Sequence, residues 1–363
     1  MSVPATTNYA ADDLRRFTTE VFESLGVPSD DAALAADVLI AADLRAIESH
    51  GVARLDAYVG MLGAGHINPS PQVKVVRESP STATVDGDTG LGLVVGPKAN
   101  RIAIEKAAEV GTGWVSVRNT NHYGIAGWYV LRAIEAGMIG WSMTNSTAIV
   151  APLWGRRAML GTNPIAIGWP AGEEPPVVLD MATSAVAFGK IEIAARRDEP
   201  IPEGWAIGKD GEPALETADF RALLPLGSTR EMGGHKGYGL ASAVDMLCAL
   251  LSGANWGPFA PPFSLGFPEP ERYPGVGIGH FLGAMDIAAF IEPAEFAAQA
   301  DDWIRTLRST PPAPGTDGPL IPGDPEREAE AQRAVEGIPL LTPVVEALTA
   351  VSSQTGVAMP AAV

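Results

Sequence analysis

The chain has 363 residues, enough for two or three domains and a large core. Its 25 Lys and Arg against 43 Asp and Glu leave a net charge of −18. That argues against nucleic acid or an anionic membrane surface as a partner, because both need clustered cations. A small acidic substrate fits only if a local Arg or Lys receives it.

The single cysteine, Cys248, excludes an intrachain disulfide. Its neighbours Val244, Leu247, Leu250 and Leu251 read as a core helix face rather than the setting of a catalytic thiol. The first twenty residues lack the apolar run of a signal peptide, and no apolar stretch of roughly 18 residues occurs. A cytoplasmic location is expected.

Residues 10–64 carry helical periodicity. Leu14, Phe17, Val21 and Leu25 share one face, and Gly26 ends the run. Ser29 is expected to cap a second helix, with Asp30 and Asp31 favouring its dipole. A third helix is expected from about Val52 to Leu62, after Glu48-Ser49-His50-Gly51. From Val73 the pattern turns to short β-branched runs: VKVV, TATV, GWVSV, IGWSMT, PIAIGW and VVLDMAT. Helical segments at 97–110, 124–136 and 184–195 alternate with them, which predicts an α/β domain with a mixed sheet. GYGLASAVDMLCALLSG reads as a helix closed by Gly253, and GIGHFLGAMDIAAF as a strand after a Pro- and Phe-rich loop at 254–277. The tail offers a helix near 294–308, a Pro-rich connector at 311–323 and further helical segments. The expected division is 1–72, 73–290 and 291–363, with the last part packing on the first.

Three segments suggest an anion or dinucleotide. Gly90-x-Gly92-x-x-x-Gly96 resembles a dinucleotide fingerprint, but its helix is expected only after Gly96-Pro97, and no acidic residue ends the next strand. A structural turn is the better reading. Asp180-Met181-Ala182-Thr183 links a strand to a helix expected at Ser184, whose N–H groups suit an anion. The loop GSTREMGGHKGYG places Lys236 in a first helical turn, where the dipole disfavours a cation and a ligand phosphate would explain it.

Two histidines sit at element ends: His122 at the close of a strand, and His50 before a helix that carries Arg54 and Tyr58 at i and i+4. Oxidation of a 2-hydroxy acid needs a carboxylate clamp, a base near neutral pKa and a nicotinamide to accept hydride. Arg54 has the fork-shaped donor set for the first, with Tyr58 adding a hydrogen bond. His122 and His50 suit the second. A metal site is not expected, since no H-E-x-x-H or clustered ligand spacing occurs. His66 reads as structural, and His280 is open between core and function.

At these residues the chain resembles the malate/L-lactate dehydrogenase family of the non-Rossmann type, which includes ureidoglycolate dehydrogenase, diketogulonate reductase, sulfolactate dehydrogenase and Δ1-piperideine-2-carboxylate reductases. The matching segments are ADLRAIESHGVARL, NTNHYGIAGWYV, GMIGWSMTNS, LGTNPIAIGWP, VVLDMATSAVAFGK, PEGWAIGKDGEP, HKGYGLASAVDML and LIPGDPEREAE, in order from about residue 42 to 330. The resemblance implies a non-Rossmann NAD(P)-binding mixed-sheet domain with a helical domain built from the N-terminal and C-terminal segments. It also implies a homodimer with its active site between domains near the subunit contact.

By the same resemblance, His122 is the first choice as acid/base and His50 a second donor that Ser49 orients, while Arg54 binds the substrate carboxylate. Cofactor contacts fall on Ser146, Asp180, Met181, Ala182, His235, Lys236, Pro322, Gly323 and Asp324. Two departures stand out: a longer GSTREMGG loop, and Asp324 where the family commonly has Glu. The implied activity is hydride transfer between NAD or NADP, NAD being favoured, and a small 2-hydroxy or 2-oxo acid of malate or lactate type. NADP would need a cation at its 2′-phosphate, for which Arg196 or Arg197 is the candidate. The alternatives are reduction of a cyclic imino acid, Δ1-piperideine-2-carboxylate or Δ1-pyrroline-2-carboxylate, and a cofactor-binding protein without turnover.

Overall fold

The computed structural model describes residues 6–363, apart from the side chains of Arg196 and Arg197. A short strand β1 (Thr6–Tyr9) leads into α1 (Ala11–Ser24), which buries Leu14, Phe17 and Val21 of the predicted stripe together with Phe22, while Leu25 falls just past the helix and is partly buried. In α2 (Ser29–Leu44) Ser29 is the first helical residue rather than the cap. Its hydroxyl turns back to the Glu23 carboxylate, and Pro28 holds the position before the helix. Two 3₁₀ turns, Glu48–His50 and Val52–Arg54, separate α2 from α3 (Leu55–Gly63).

The next elements build the sheet. They are β2 (Lys74–Glu78), β3 (Thr82–Gly90), α4 (Gly92–Val110), β4 (Thr112–Thr120), α5 (Ala126–Glu135), β5 (Met138–Thr144), β6 (Ile165–Trp169) and β7 (Val177–Met181). After α6 (Phe188–Arg197) come the two-residue strands β8 (Ala206–Ile207) and β9 (Ala222–Leu223), then α7 (Gly234–Asp245), which runs on through a π turn at Met246–Leu250. Strand β10 (Ile278–Asp286) returns to the centre of the sheet. The chain closes with α8 (Pro293–Arg308), α9 (Asp324–Glu336), β11 (Ile338–Leu341) and α10 (Thr342–Thr355).

The seven-stranded sheet runs β2-β3-β4-β10-β5-β6-β7. Only β3 and β4 pair in parallel, across the α4 crossover; every other neighbour pair is antiparallel. The sheet is therefore mixed, as predicted, and the glycine-rich segment is the turn of its one parallel unit. That turn differs from expectation in one respect: α4 starts at Gly92, five residues before Pro97. The run Gly92-Leu93-Val94-Val95-Gly96 is fully buried, and its packing overrides the missing proline N–H. A Cβ at Gly92 would lie 2.1 Å from the Asn121 carbonyl oxygen and 2.4 Å from that of His122. The glycine lets α4 press against the backbone that carries His122.

Helices α4 and α5 cover one face of the sheet, with α2 packed behind them, while α7 and the π turn lie against β5, β10 and β4. One core runs from the N-terminal helices (Phe17, Leu39, Tyr58) into the sheet (Val85, Val115, Leu282) and on to α10 (Leu348, Val351). β1 pairs antiparallel with β11, which ties the two ends of the described chain together. In the stretch 291–363, α9 and α10 pack against the N-terminal helices. Helix α8 instead buries Ile304 with Val177 and sets Trp303 against Trp169 at the sheet edge. A separate small core, with Val150, Leu160, Ile191, Ile201, Leu223 and Ala241, forms a lobe from the excursions between β5 and β6 and between β7 and α7. The cleft between this lobe and the main core holds the site. Among the described residues no helix is long and apolar enough to cross a membrane.

Candidate functional site

Three pieces of backbone set the site. The first is the Ser49-His50-Gly51 turn. The buried Asp43 carboxylate accepts the Val52 N–H at 2.7 Å, and a Cβ on Gly51 would lie 2.0 Å from that carboxylate. Only glycine lets the turn pass so close. The Arg333 guanidinium clamps the same corner, on the Asp43 carbonyl (2.6 Å) and the Glu48 carboxylate. The second piece follows β4. Asn121 donates to the Thr89 and Gly90 carbonyls at 2.9 and 3.1 Å, and the Tyr129 hydroxyl donates to the Tyr123 carbonyl at 2.7 Å. His122 lies between these anchors. The third piece is the β7–α6 connection, where the Gly127 N–H donates to Asp180 at 2.7 Å. Burial pushes this carboxyl up to about 6.

A cavity of about 480 Å³ lies where the three meet, and its lining includes Ser49, His50, Arg54, His122, Ser146, Asp180, Met181 and Ala182. That volume is in the range of small-molecule sites. The His50 and His122 rings stack 24° from parallel, with centroids 5.4 Å apart. His50 Nδ1 lies 2.9 Å from the Ser49 hydroxyl. Arg54 donates through Nε to the Ser49 carbonyl at 2.7 Å, and its Nη2 is 3.4 Å from the Glu192 carboxylate. Its guanidinium carbon stands 5.2 Å from the Phe263 ring centroid. Burial lowers His50 to about 4, with help from the Arg54 charge. Burial also drives His122 well below the imidazole range, and His50 and Arg54 add to the effect. Both rings are neutral at pH 7, the state in which an imidazole accepts a proton or donates a hydrogen bond.

Other sequence candidates fall elsewhere. Tyr58, expected on the substrate, lies outside the cavity lining, buried behind it, with its hydroxyl 2.7 Å from His122 Nδ1. The helix expected at Ser184 begins at Phe188, so Ala187, Phe188, Gly189 and Lys190 bring its first turn to the cavity. His235 and Lys236 are exposed and do not line the cavity; His235 Nδ1 is 2.8 Å from Arg230. The Pro322 carbonyl accepts the Val178 N–H, and Gly323 precedes α9 with φ +97°. The Asp324 carboxylate is taken by Arg308 (2.9 Å), Arg327 (2.7 Å) and the Ile321 N–H (3.0 Å). Glu326, two residues further along α9, lines the cavity instead. The side chains of Arg196 and Arg197, the candidates for a 2′-phosphate, lie outside the described residues. His280 is a core residue: it stacks on Tyr123 at 4.5 Å and meets the Thr144 hydroxyl at 2.8 Å. Cys248 is buried, as its helix face predicts, and His66 is exposed. Sequence reasoning missed Phe263, Glu192, Lys190 and Glu326; Lys190 and Glu326 lie within the segments VVLDMATSAVAFGK and LIPGDPEREAE but received no role there.

Residues 9–349 match the family model for malate/L-lactate dehydrogenase. The chain belongs to that family. It is 43% identical over 350 residues to malate dehydrogenase of Pyrococcus horikoshii, covering 95% of each chain. It is 42% identical over 319 residues to L-sulfolactate dehydrogenase of Methanocaldococcus jannaschii, covering 88% of this chain and 89% of that one. The solved malate dehydrogenase of Pyrococcus horikoshii aligns with a TM-score of 0.89 at 40% identity, over 99% of both chains. Δ1-piperideine-2-carboxylate reductase from Pseudomonas syringae aligns with a TM-score of 0.80 at 28% identity, over 95% of this chain and 100% of that one. As a malate/L-lactate dehydrogenase family member, the chain is a hydroxy-acid oxidoreductase, and its dehydrogenase relatives imply a nicotinamide cofactor in general.

Proposed function

We propose that the protein transfers a hydride between a nicotinamide dinucleotide, NAD in preference to NADP, and a small 2-hydroxy acid of malate or lactate type, forming the 2-oxo acid. The observation that carries this reading is the convergence of His50, His122 and Arg54, from two distant segments, on one cavity.

The residues present fit the cofactor. The Asp180–Ala182 turn, Ser146 and the first turn of α6 all line the cavity, and the N–H groups of that turn suit a phosphate. Bound there, a nicotinamide would supply the hydride acceptor at its C4. Arg54 holds the substrate carboxylate as a charge-assisted pair, exchanging its 3.4 Å contact with Glu192 for a bidentate one. The stacked histidines take the hydroxyl oxygen: one removes its proton as the hydride leaves C2, and the other keeps the oxygen in place. Ile47, Ile125 and Phe263 add apolar lining beside these charges.

A cytoplasmic homodimer completes the proposal. The lone buried thiol suits a reducing compartment. The exposed Met246 and Leu250 of the π turn that continues α7, with Leu251 just after it, offer apolar surface to a second copy. Sedimentation as a monomer would remove that part.

Reduction of a cyclic imino acid is the second reading, favoured by the similarity to the Pseudomonas syringae reductase. It shares the carboxylate clamp and changes only the atom bonded to C2. A cofactor-binding protein without turnover would not need both histidines beside Arg54. The test is a panel of 2-hydroxy acids, 2-oxo acids and cyclic imino acids, followed by nicotinamide absorbance with each dinucleotide. Turnover on malate, sulfolactate or lactate supports the proposal; turnover on the imines alone, or dinucleotide binding without turnover on any of them, overturns it.

A further inference from the structure

His122 Nδ1 meets two groups. The Tyr58 hydroxyl is 2.7 Å away, and the Gly124 backbone N–H donates to the same nitrogen at 3.4 Å. A backbone N–H only donates, so the nitrogen it points at holds a lone pair. The Tyr58 ring is 3% exposed, and burial drives its phenol well above the usual range. The hydroxyl therefore keeps its proton. It too donates to Nδ1.

We propose that Tyr58 is a positioning residue which, with the Gly124 N–H, locks His122 in the tautomer that carries its proton on Nε2, toward the cavity. The inference rests on the reading of His122 as a substrate-facing group. It assigns Tyr58 a task other than the substrate hydrogen bond expected from its place four residues after Arg54. It also separates the two histidines. His122, with Nε2 already protonated, donates a hydrogen bond to the oxygen on C2 and stabilises negative charge there. It does not remove the hydroxyl proton. In oxidation the O–H bond breaks toward His50, acting in the tautomer whose Nδ1–H donates to the Ser49 hydroxyl, 2.9 Å away, and whose Nε2 is the free base. The C2–H bond breaks with its electron pair to the nicotinamide. Charge balances, since His50 becomes imidazolium as the substrate becomes the 2-oxo acid and the nicotinamide is reduced.

Among the described residues, His122 Nδ1 is the one hydrogen-bond partner of the buried Tyr58 hydroxyl. The Tyr58 ring packs edge-on to Phe22 at 6.2 Å, a contact that phenylalanine would keep. Tyr58→Phe thus removes the oxygen and leaves the packing.

The test uses full-length protein labelled with [15N]histidine, with long-range ¹H–¹⁵N spectra and steady-state kinetics of Tyr58→Phe, His122→Gln and His122→Ala. The expected spectrum has His122 protonated on Nε2 in the wild type and mixed between tautomers in Tyr58→Phe. The expected kcat of Tyr58→Phe is about tenfold lower, the loss of one hydrogen bond, with an unchanged cofactor KM. His122→Gln, whose amide N–H stands in for Nε2–H, stays within about tenfold of wild type, while His122→Ala loses about a hundredfold or more. A proton on Nδ1 in the wild type, a Tyr58→Phe kcat within twofold of wild type, or His122→Gln as inactive as His122→Ala would each overturn the proposal. Wild-type turnover in His122→Ala is the distinct result that removes the catalytic reading of His122 altogether, and this inference with it.

Discussion

His122 and His280 are made of the same parts, on either side of one strand pairing. Each sets Nδ1 on a hydroxyl, Tyr58 at 2.7 Å and Thr144 at 2.8 Å. Each ring stacks on another, His50 at 5.4 Å and Tyr123 at 4.5 Å. Burial lowers both, His280 to about 3. They part at the far nitrogen. His280 is 0% exposed and its Nε2 is buried without a hydrogen-bond partner. The His122 ring lines the cavity, beside Arg54. A histidine in this fold acquires chemistry from what faces Nε2 and from the charge next to it; the hydroxyl on Nδ1 has a catalytic consequence only where Nε2 faces the cavity.

Substitution breaks this comparison most sharply. His122→Ala is expected to lower kcat by about 10²- to 10⁴-fold with little change in Tm. His280→Ala is expected to do the reverse, costing roughly 1–3 kcal/mol of stability with kcat within about threefold of wild type. Kinetics and thermal unfolding of the two variants, side by side, check both halves. Equal losses of activity would erase the distinction.

Arg54 is the charge that marks the cavity histidine. Arg54→Ala removes a charge-assisted pair worth roughly 1.5–3 kcal/mol, so the substrate KM rises about 10- to 100-fold while cofactor affinity holds. Arg54→Lys recovers only part of this, because an ammonium cannot grip a carboxylate at two points. An unchanged KM in Arg54→Ala would place the acid elsewhere.

The corner beneath the Ser49–Gly51 turn is expected to respond to pH. Burial raises the Asp43 carboxyl from 3.8 to about 7. The folded state then holds this proton more tightly than the unfolded chain. Its contribution is complete below 3.8 and is lost as pH rises through about 7. Across that window wild-type stability should fall relative to Asp43→Asn by about 1 kcal/mol per pH unit. Denaturant melts at several pH values, with a flat difference between the two proteins, would contradict it.

The smallest expected effect lies in the rate profile. With His50 lowered from 6.5 to about 4, its base form persists into acid, so kcat/KM for oxidation should decline with a midpoint near 4 rather than near 6.5. A decline centred at 6.5 would mean an ordinary, solvated imidazole does the work.

Much of this was legible in the sequence. The Leu14-Phe17-Val21 stripe, the β-branched strands and the mixed sheet follow from local periodicity, which burial rewards directly. Ser49, His50, Arg54, His122, Ser146 and Asp180–Ala182 do share one cavity. The failures have physical causes. Arg54 and Tyr58 fit i and i+4 on paper, but Arg54 ends a 3₁₀ turn before α3 begins, so the phase breaks and Tyr58 turns inward. β1 and β11 are four residues each and pair across most of the chain, a contact no local pattern announces. The ion pair on Asp324 is not local either: Arg308 lies sixteen residues away in sequence and reaches it only through the fold. Phe263 comes from a Pro-rich loop whose position depends on the rest of the chain, including the Thr147 hydroxyl that accepts its N–H at 3.1 Å.

The most direct test of the central claim is a crystal structure with the reduced dinucleotide and an oxamate-type inhibitor. The account predicts the inhibitor carboxylate on both guanidinium nitrogens of Arg54, with Glu192 released, and its carbonyl oxygen within hydrogen-bond distance of His122 Nε2 and His50. An inhibitor carboxylate bound away from Arg54, with the two rings touching neither ligand, would contradict it.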